Sequence, residues 1–298
     1  MRRWWIAAGV SLLFLSGCSL KKMAASMTAS VVKDASKALE EEGDYDLAAA
    51  AAPGNLKLVE GLFQVIPENA ELLELLARSF ASYALAFTEE AALEARAAGD
   101  EDRYERLLNR AIALYERGGR YGLRLLGLKR GFDEAWKKGG DALEQKLAEF
   151  GPGEEGQLFW TAYGWAGAIN LGQDRVENLA LLPKVMAMMK RVLAINEAYY
   201  FGGAHLFMGG YNMSLPKALG GKPEKAKEHF EKAVALTGGK ALLVKMLYAE
   251  MYARKAEPAL FDRLIQEVQD ASVDTLPEMR LGNALAKRKA KRLGKKEE

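Results

Sequence analysis

An all-α fold of antiparallel helix pairs, stacked in the manner of tetratricopeptide repeats, is predicted from three observations. Ala, Leu, Glu, Lys and Arg dominate the 298 residues, and no alternating strand-like run of useful length occurs. Apolar residues recur at spacings of three and four in successive segments. Ala226, Phe230 and Ala233 stand in the A-x3-F-x2-A order of a repeat's second helix. We therefore expect one α-solenoid-like domain of about a dozen helices in roughly four imperfect pairs.

The N-terminus reads as a lipoprotein signal peptide over residues 1–17. Arg2 and Arg3 precede an apolar run, Trp4–Leu15, that is short for a permanent membrane span. The run ends Leu-Ser-Gly-Cys, which resembles a bacterial lipobox and predicts acylation of Cys18. A small buried thiol is the alternative for this single cysteine. Several acyl chains on Cys18 would anchor the mature protein to a membrane.

The mature chain is predicted to consist of a tether over residues 18–43 and a helical domain over residues 44–298. Without residues 1–17 it has 40 basic and 40 acidic residues, and nucleic acid is not an expected partner of such an exported protein. A basic cluster at the C-terminus would either contact lipid headgroups or an acidic partner, or form a solvated helix end. Its members are Lys287, Arg288, Lys289, Lys291, Arg292, Lys295 and Lys296.

The first helices are predicted from Asp44 to Ala52 and from Asn55 to Ile66, separated by a break at Pro53-Gly54. Asn69 then caps a long helix. Its buried stripe comprises Leu73, Leu76, Phe80, Tyr83 and Phe87.

The partner of that long helix begins at about Asp100, and Gly118-Gly119 is expected to end or loosen it. Another amphipathic helix, Phe132–Phe150, is interrupted at Gly139-Gly140, and Gly151-Pro152-Gly153 is the strongest break in the chain. The helices predicted after this break are Leu158–Asn170, Lys184–Asn196, Tyr199–Met213, Lys222–Leu236, Leu242–Lys255, Pro258–Ala271 and Pro277–Leu293.

No pattern in the chain predicts catalysis, a metal site or a bound cofactor. Residues 151–156 spell G-x-G-x-x-G, but they follow a helix and contain two carboxylates, so a helix-to-helix loop is preferred over a dinucleotide site. The two histidines, His205 and His229, lie on different helices. His229 is expected to be exposed, and His205 to be either a hydrogen-bonded core residue or a polar group in a cavity.

An unusual concentration of aromatic residues, methionines and glycines lies between Phe159 and Tyr211. It is either an aromatic core with close helix contacts or the wall of a groove or channel for an apolar ligand. The candidate cavity residues are Trp160, Tyr163, Trp165, Asn170, Tyr199, Tyr200, His205 and Tyr211.

Several strings resemble the TatT lipoproteins, the tetratricopeptide-repeat components of TRAP (tripartite ATP-independent periplasmic) transporters. The resemblance covers nearly the whole chain and begins with the lipobox at Cys18. It continues in residues 52–58 (APGNLKL), in Phe159-Trp160 with residues 165–171, in residues 202–207 (GGAHLF), in Ala218–Gly221, and in residues 276–290.

The resemblance implies a non-enzymatic protein of the bacterial envelope that faces the periplasm. Separately, Ser19 directly after the acylated cysteine slightly favours the outer membrane, by the sorting rule of enteric bacteria. By the resemblance, the protein would form a homotrimer, bind the transporter's substrate-binding (P) component, and relay an apolar or organic-acid ligand through a largely apolar channel in each protomer. The alternative is a structural envelope lipoprotein that serves as an assembly scaffold without ligand binding.

Overall fold

The computed structural model describes residues 20–214 and 220–294, and within these ranges it is helical with no strand. The all-α prediction is thus confirmed. Residues 1–17, Cys18, and Lys295 and Lys296 of the basic cluster lie outside the described residues. No helix in the described ranges is long and apolar enough to cross a membrane.

The N-terminal segment folds as helices α1 (residues 20–35), α2 (Lys37–Glu40) and α3 (Tyr45–Val65). Helix α1 lies within the span predicted as a tether, and its Ala29 is completely buried. The predicted break at Pro53-Gly54 is wrong, because α3 continues through Pro53. A proline there weakens the helix, but an unbroken apolar stripe on both sides of it is buried and outweighs that effect. The stripe consists of Ala48, Ala52, Leu56, Val59 and Phe63.

The long central helices begin at side-chain caps, and the cap at Asn69 and the start near Asp100 agree with the predictions. Helix α4 (Ala70–Tyr83) begins where the Asn69 side chain accepts a hydrogen bond from the Leu72 N–H at 2.9 Å. It continues through a π-helical segment, Ala84–Glu89, into α5 (Glu90–Ala97). Helix α6 (Glu101–Gly127) begins at Asp100, which accepts from the Arg103 N–H at 3.1 Å.

Gly118-Gly119 does not end or loosen α6, contrary to the prediction. A Cβ at Gly118 would lie 2.9 Å from the Ala77 carbonyl oxygen, and one at Gly119 would lie 2.7 Å from the Trp165 ring. The glycines therefore bring α4 and α9 against the middle of α6. Because that close packing is buried, it outweighs the low helix propensity of glycine.

The middle of the chain contains shorter helices, and its G-x-G-x-x-G string is a helix-to-helix loop. In that loop Glu154 accepts a hydrogen bond from the Gly151 N–H at 2.9 Å, and Glu155 accepts from the Gly153 N–H at 2.6 Å. The chain's own carboxylates thus occupy the N–H groups that would face a phosphate. The helices are α7 (Phe132–Lys138), α8 (Gly140–Ala148), α9 (Glu155–Leu171), α10 (Val176–Leu179), α11 (Leu182–Ile195), α12 (Tyr199–Met213) and α13 (Pro223–Leu236).

Helix α13 turns its predicted face into the stack. Ala226, Phe230 and Ala233 are fully buried, and the Phe230 ring stacks on Tyr248 at 5.3 Å. The remaining elements are α14 (Leu242–Tyr248), a second π-helical segment (Ala249–Ala253), α15 (Arg254–Ala256), α16 (Pro258–Asp270), two 3-10 turns (Val273–Thr275 and Pro277–Met279) and α17 (Arg280–Leu293).

The last helix packs against the first ones. Helix α17 contacts α14 and α16, which precede it, and also α2, α3 and α5 from the start of the chain. Arg288 binds Glu94 through two hydrogen bonds of 2.5 and 2.9 Å across this contact. The stack of helices is therefore closed on itself, and the closure surrounds an internal space.

Candidate functional site

A cavity of about 1080 Å³ lies inside the closed stack. Residues of α1 to α4, α9, α12, α14 and α17 form most of its wall, and the two π-helical segments contribute further residues. This volume is at the upper end of the range for small-molecule pockets, and most of the lining is apolar. The cavity is thus large enough for a molecule with an extended hydrophobic body.

Five of the eight predicted candidates line this cavity, namely Trp160, Tyr163, Asn170, Tyr200 and Tyr211. The Trp160 and Tyr200 rings meet edge to face at 4.5 Å between centroids. Tyr163 packs 5.7 Å from Trp160, so three of the five form one aromatic surface.

The other three candidates are not part of the lining. Trp165 packs on Gly119 instead, and its Nε1 has no hydrogen-bond partner among the described residues. Tyr199 supports the wall from behind, because its hydroxyl accepts a hydrogen bond from Trp160 Nε1 at 3.1 Å.

His205 is the third, and it is a hydrogen-bonded core residue that contacts His229. The two Nδ1 atoms are 2.8 Å apart, and His205 Nε2 is 3.4 Å from Glu197. His229 is therefore half-buried against α12, and the expectation that it is exposed is wrong. Burial lowers the pKa of both rings, and the neighbouring His205 lowers that of His229 further.

A strained stretch at the start of α12 sets the position of the aromatic surface. Tyr200, Phe201 and Gly202 all adopt left-handed conformations, with φ of 44°, 59° and 74°. The regular helix that was predicted from Tyr199 thus begins only after Gly202. Left-handed geometry in a residue with a Cβ is unfavourable by about 1–2 kcal/mol. It persists here because Tyr200 is held against Trp160, while a Cβ at Gly202 would lie 3.2 Å from Ala233.

One charged pair lies beside that aromatic surface. The Arg78 guanidinium on α4 is 5.4 Å from the centre of the Trp160 ring and 5.6 Å from that of Tyr200. Its Nη2 donates a short hydrogen bond to Glu40 of α2. Arg78 and Glu40 both line the cavity. Arg78 was not among the predicted site residues. The sequence of α4 gives no sign that this arginine faces the cavity.

A second charged group, which we call the closing cluster, consists of Glu89, Glu90, Glu250, Lys289 and Arg292. Lys289 is almost completely buried and lies 3.3 Å from Glu90 and 3.2 Å from Glu250. Arg292 Nε donates to Glu90 at 2.9 Å, and Glu89 accepts a hydrogen bond from the Tyr115 hydroxyl. Glu89, Glu250 and Lys289 line the cavity.

The lysine and the arginine of the closing cluster, Lys289 and Arg292, are also members of the basic cluster that the sequence shows at the C-terminus. Neither interpretation of that cluster fits Lys289 and Arg292, because both side chains bind carboxylates inside the protein. Burial alone would lower the pKa of Lys289, but Glu250, Glu89 and Glu90 outweigh it and raise the pKa. Burial also raises the pKa of Glu89, against the influence of Lys289.

The arrangement is suited to binding and offers no catalytic constellation among the described residues. In those ranges no group of three or more His, Cys, Asp or Glu side chains could hold a metal ion. The wall combines a wide apolar and aromatic area with charges confined to a few places, which matches a molecule that is mostly apolar.

Comparisons with known proteins agree with this description. An uncharacterized protein of Treponema pallidum (strain Nichols) is 27% identical over 246 residues, which cover 75% of this chain and 74% of the relative. The family of TRAP transporter T-components, which is a family of transporter components and not of enzymes, matches residues 41–298. With a match over that length, the chain belongs to the TRAP transporter T-component family.

Proposed function

We propose that this chain is a lipid-anchored, periplasm-facing accessory component that binds the transporter's substrate-binding component and relays an apolar or organic-acid ligand through its cavity. The observation that carries the ligand part is the cavity of about 1080 Å³ with its aromatic wall. Association with other TRAP components and a place in the bacterial envelope agree with the family.

The relay is a matter of binding and release. Aromatic and aliphatic side chains would hold the apolar body of the ligand by burial, at about 25 cal/mol for each Å² of apolar surface. No bond of the ligand is made or broken, and the energy for transport comes from the membrane components of the transporter. The strained Tyr200 belongs to the wall, which agrees with the tendency of such strain to occur at functional sites.

The scaffold alternative accounts for the envelope location equally well, but it predicts a filled core. A continuous apolar space of this size is unfavourable unless something occupies it. The cavity therefore supports ligand handling over a purely structural role.

The membrane anchor and the oligomer are separate parts of the proposal. Acylation of Cys18 would hold the protein on the membrane. A Cys18→Ala variant in which residues 1–17 are replaced by an ordinary cleavable signal peptide is expected to appear in the soluble periplasmic fraction. The proposed trimer would be seen by light scattering of that soluble variant, and a monomer at all concentrations would rule it out.

Docking is tested by a pull-down of the same bacterium's TRAP substrate-binding component. The Cys18→Ala protein is immobilised, and the purified component is applied with and without a mixture of organic acids. We expect it to be retained. An unrelated periplasmic binding protein is the control, and the absence of a complex under every ligand condition would contradict the docking part of the proposal.

A further inference from the structure

The wall of the cavity contains a carboxylate site that the chain itself already fills. Arg78 lies at this wall, with its side chain only 27% exposed, and its guanidinium faces the aromatic rings of Trp160 and Tyr200. The Glu40 carboxylate accepts a hydrogen bond from the Nη2 atom of this guanidinium. An arginine that combines an aromatic neighbour with a carboxylate is the arrangement in which proteins hold carboxylate ligands.

The residue that occupies this site is weakly held. Helix α2 has only four residues, none of which is buried, and it is joined to α3 by a short linker. Among the described residues, Arg78 donates the hydrogen bond that the Glu40 side chain accepts. Burial raises the pKa of Glu40, and the nearby Arg78 offsets this only in part. Exchange of Glu40 for another carboxylate therefore breaks few contacts.

The other cations of the lining are less suitable. Lys289 lies between Glu90 and Glu250, with Glu89 close by, so acidic groups outnumber it locally. A second anion there would be repelled. Lys255 is an exposed side chain, so the surrounding water screens its charge.

We propose that Arg78 is the carboxylate-binding residue of the cavity, that its ligands are amphipathic monocarboxylates, and that Glu40 is an internal competitor which such a ligand displaces. This inference rests on the proposed ligand relay and adds to it a ligand class and a residue. The acyl or aromatic body of the ligand would lie along Trp160 and Tyr200. Displaced Glu40 would move to solvent together with α2.

The test uses calorimetric titration of the Cys18→Ala chain with three probes of equal length: decanoate, 1-decanol and decyltrimethylammonium, all below their micellar concentrations. The variants are Glu40→Gln, Arg78→Gln and the double variant. Glu40→Gln is expected to bind decanoate about tenfold more tightly, because the competing charge is gone, and to bind 1-decanol unchanged.

Arg78→Gln is expected to weaken decanoate binding by about tenfold or more and to leave 1-decanol unchanged. In the double variant the effect of Glu40→Gln should disappear, since both substitutions act on one pair. Arg117→Gln is the matched control. Arg117 also pairs with a glutamate, Glu60, and lies over an aromatic ring, but it is outside the cavity.

A failure of the proposal for Arg78 can be distinguished from a failure of the proposed ligand relay. Equal binding of decanoate and 1-decanol, with neither changed by the two substitutions, would overturn the role of Arg78 and leave the cavity as an apolar site. Preference for decyltrimethylammonium would overturn it as well. No binding of any probe would contradict this inference and the relay together. If Arg78→Gln unfolds, Glu40→Gln and Arg78→Lys decide the matter, and an unchanged decanoate affinity in both overturns the proposal.

Discussion

Lys289 is a lysine with almost no exposed surface in a helix whose sequence reads as a solvated basic end. Its ammonium group is surrounded by carboxylates of two other helices, Glu90 at 3.3 Å and Glu250 at 3.2 Å. A buried charge of this kind is tolerated only when paired, and removing one partner leaves the other uncompensated. Lys289 is therefore a residue on which the closed form of the stack depends.

Replacing this residue provides a test of that dependence. Lys289→Met keeps the apolar stem and removes the charge, and it is expected to lower the free energy of unfolding by about 3–5 kcal/mol. Urea unfolding followed by circular dichroism measures the loss. Lys291→Met, the same substitution at an exposed site on α17, is expected to change stability by less than about 0.5 kcal/mol. Equal stability of the two variants would contradict the structural role of Lys289.

At the scale of the elements, two of the helical stretches carry a π-helical segment. Glu89 ends the first segment, Ala84–Glu89, and Glu250 lies in the second, Ala249–Ala253. A π turn adds a residue to the helix and rotates the side chains that follow it, and such turns are common at functional sites. Both segments bring an acidic residue to the closing cluster.

Helices α12 and α13 are joined by a contact between two histidines, and its contribution to stability is expected to depend on pH. For the 2.8 Å contact of His205 with His229, one Nδ1 must carry a proton and the other must not. Burial lowers both folded pKa values below the ordinary 6.5, so the unfolded chain binds more protons as the pH falls. The stabilising contribution is thus complete above about pH 6.5 and is lost as the pH falls through the lowered folded pKa values.

This pH dependence can be isolated with a substitution. His229→Gln is expected to flatten the decline in unfolding free energy between about pH 7.5 and about pH 5, relative to the unmodified chain. The charges that also act on the pair are Glu197, Lys232, Glu228 and Lys225, and they are retained in the variant. Urea midpoints across this range give the result, and parallel pH profiles would show that the pKa values of the pair are the same in the folded and the unfolded chain.

On the scale of the whole molecule, the decisive feature is that α17 returns to the first helices. The Arg288–Glu94 and Arg292–Glu90 bonds join positions 194 and 202 residues apart. An open solenoid would present its concave side to solvent, whereas this closure converts the same surface into a cavity. The cavity is therefore a consequence of closure.

Narrowing the cavity should weaken the binding of an apolar probe. Ser79 is a small residue of the lining, and Ser79→Trp is expected to reduce the binding of N-phenyl-1-naphthylamine, measured by its fluorescence, by at least about tenfold. Leu128→Trp places the same side chain at an exposed site outside the cavity and is expected to leave binding unchanged. An equal probe affinity in both variants would mean that the probe binds elsewhere.

Local patterns determined the helices of this protein, and long-range contacts determined how they assemble. The stripe of α13, the cap at Asn69 and the start of α6 near Asp100 follow from spacing and side-chain chemistry within a few residues, so the sequence predicted them correctly. It misjudged Pro53 and Gly118-Gly119, because burial against distant helices outweighs local propensity there.

The candidate site, too, could be predicted from the sequence only in part. A cluster of aromatic residues within about fifty positions left an aromatic core and a cavity wall as alternatives, and Trp160, Tyr163, Asn170, Tyr200 and Tyr211 line the cavity. The place of Tyr200 in the lining depends on the left-handed stretch at the start of α12. The charges of the lining could not be assigned at all, because Arg78, Glu89 and Lys289 look like surface residues until helices from both ends of the chain enclose them. Sequence by itself determined the helices and the family, and tertiary closure decided the cavity and its charges, since only closure removes these groups from water.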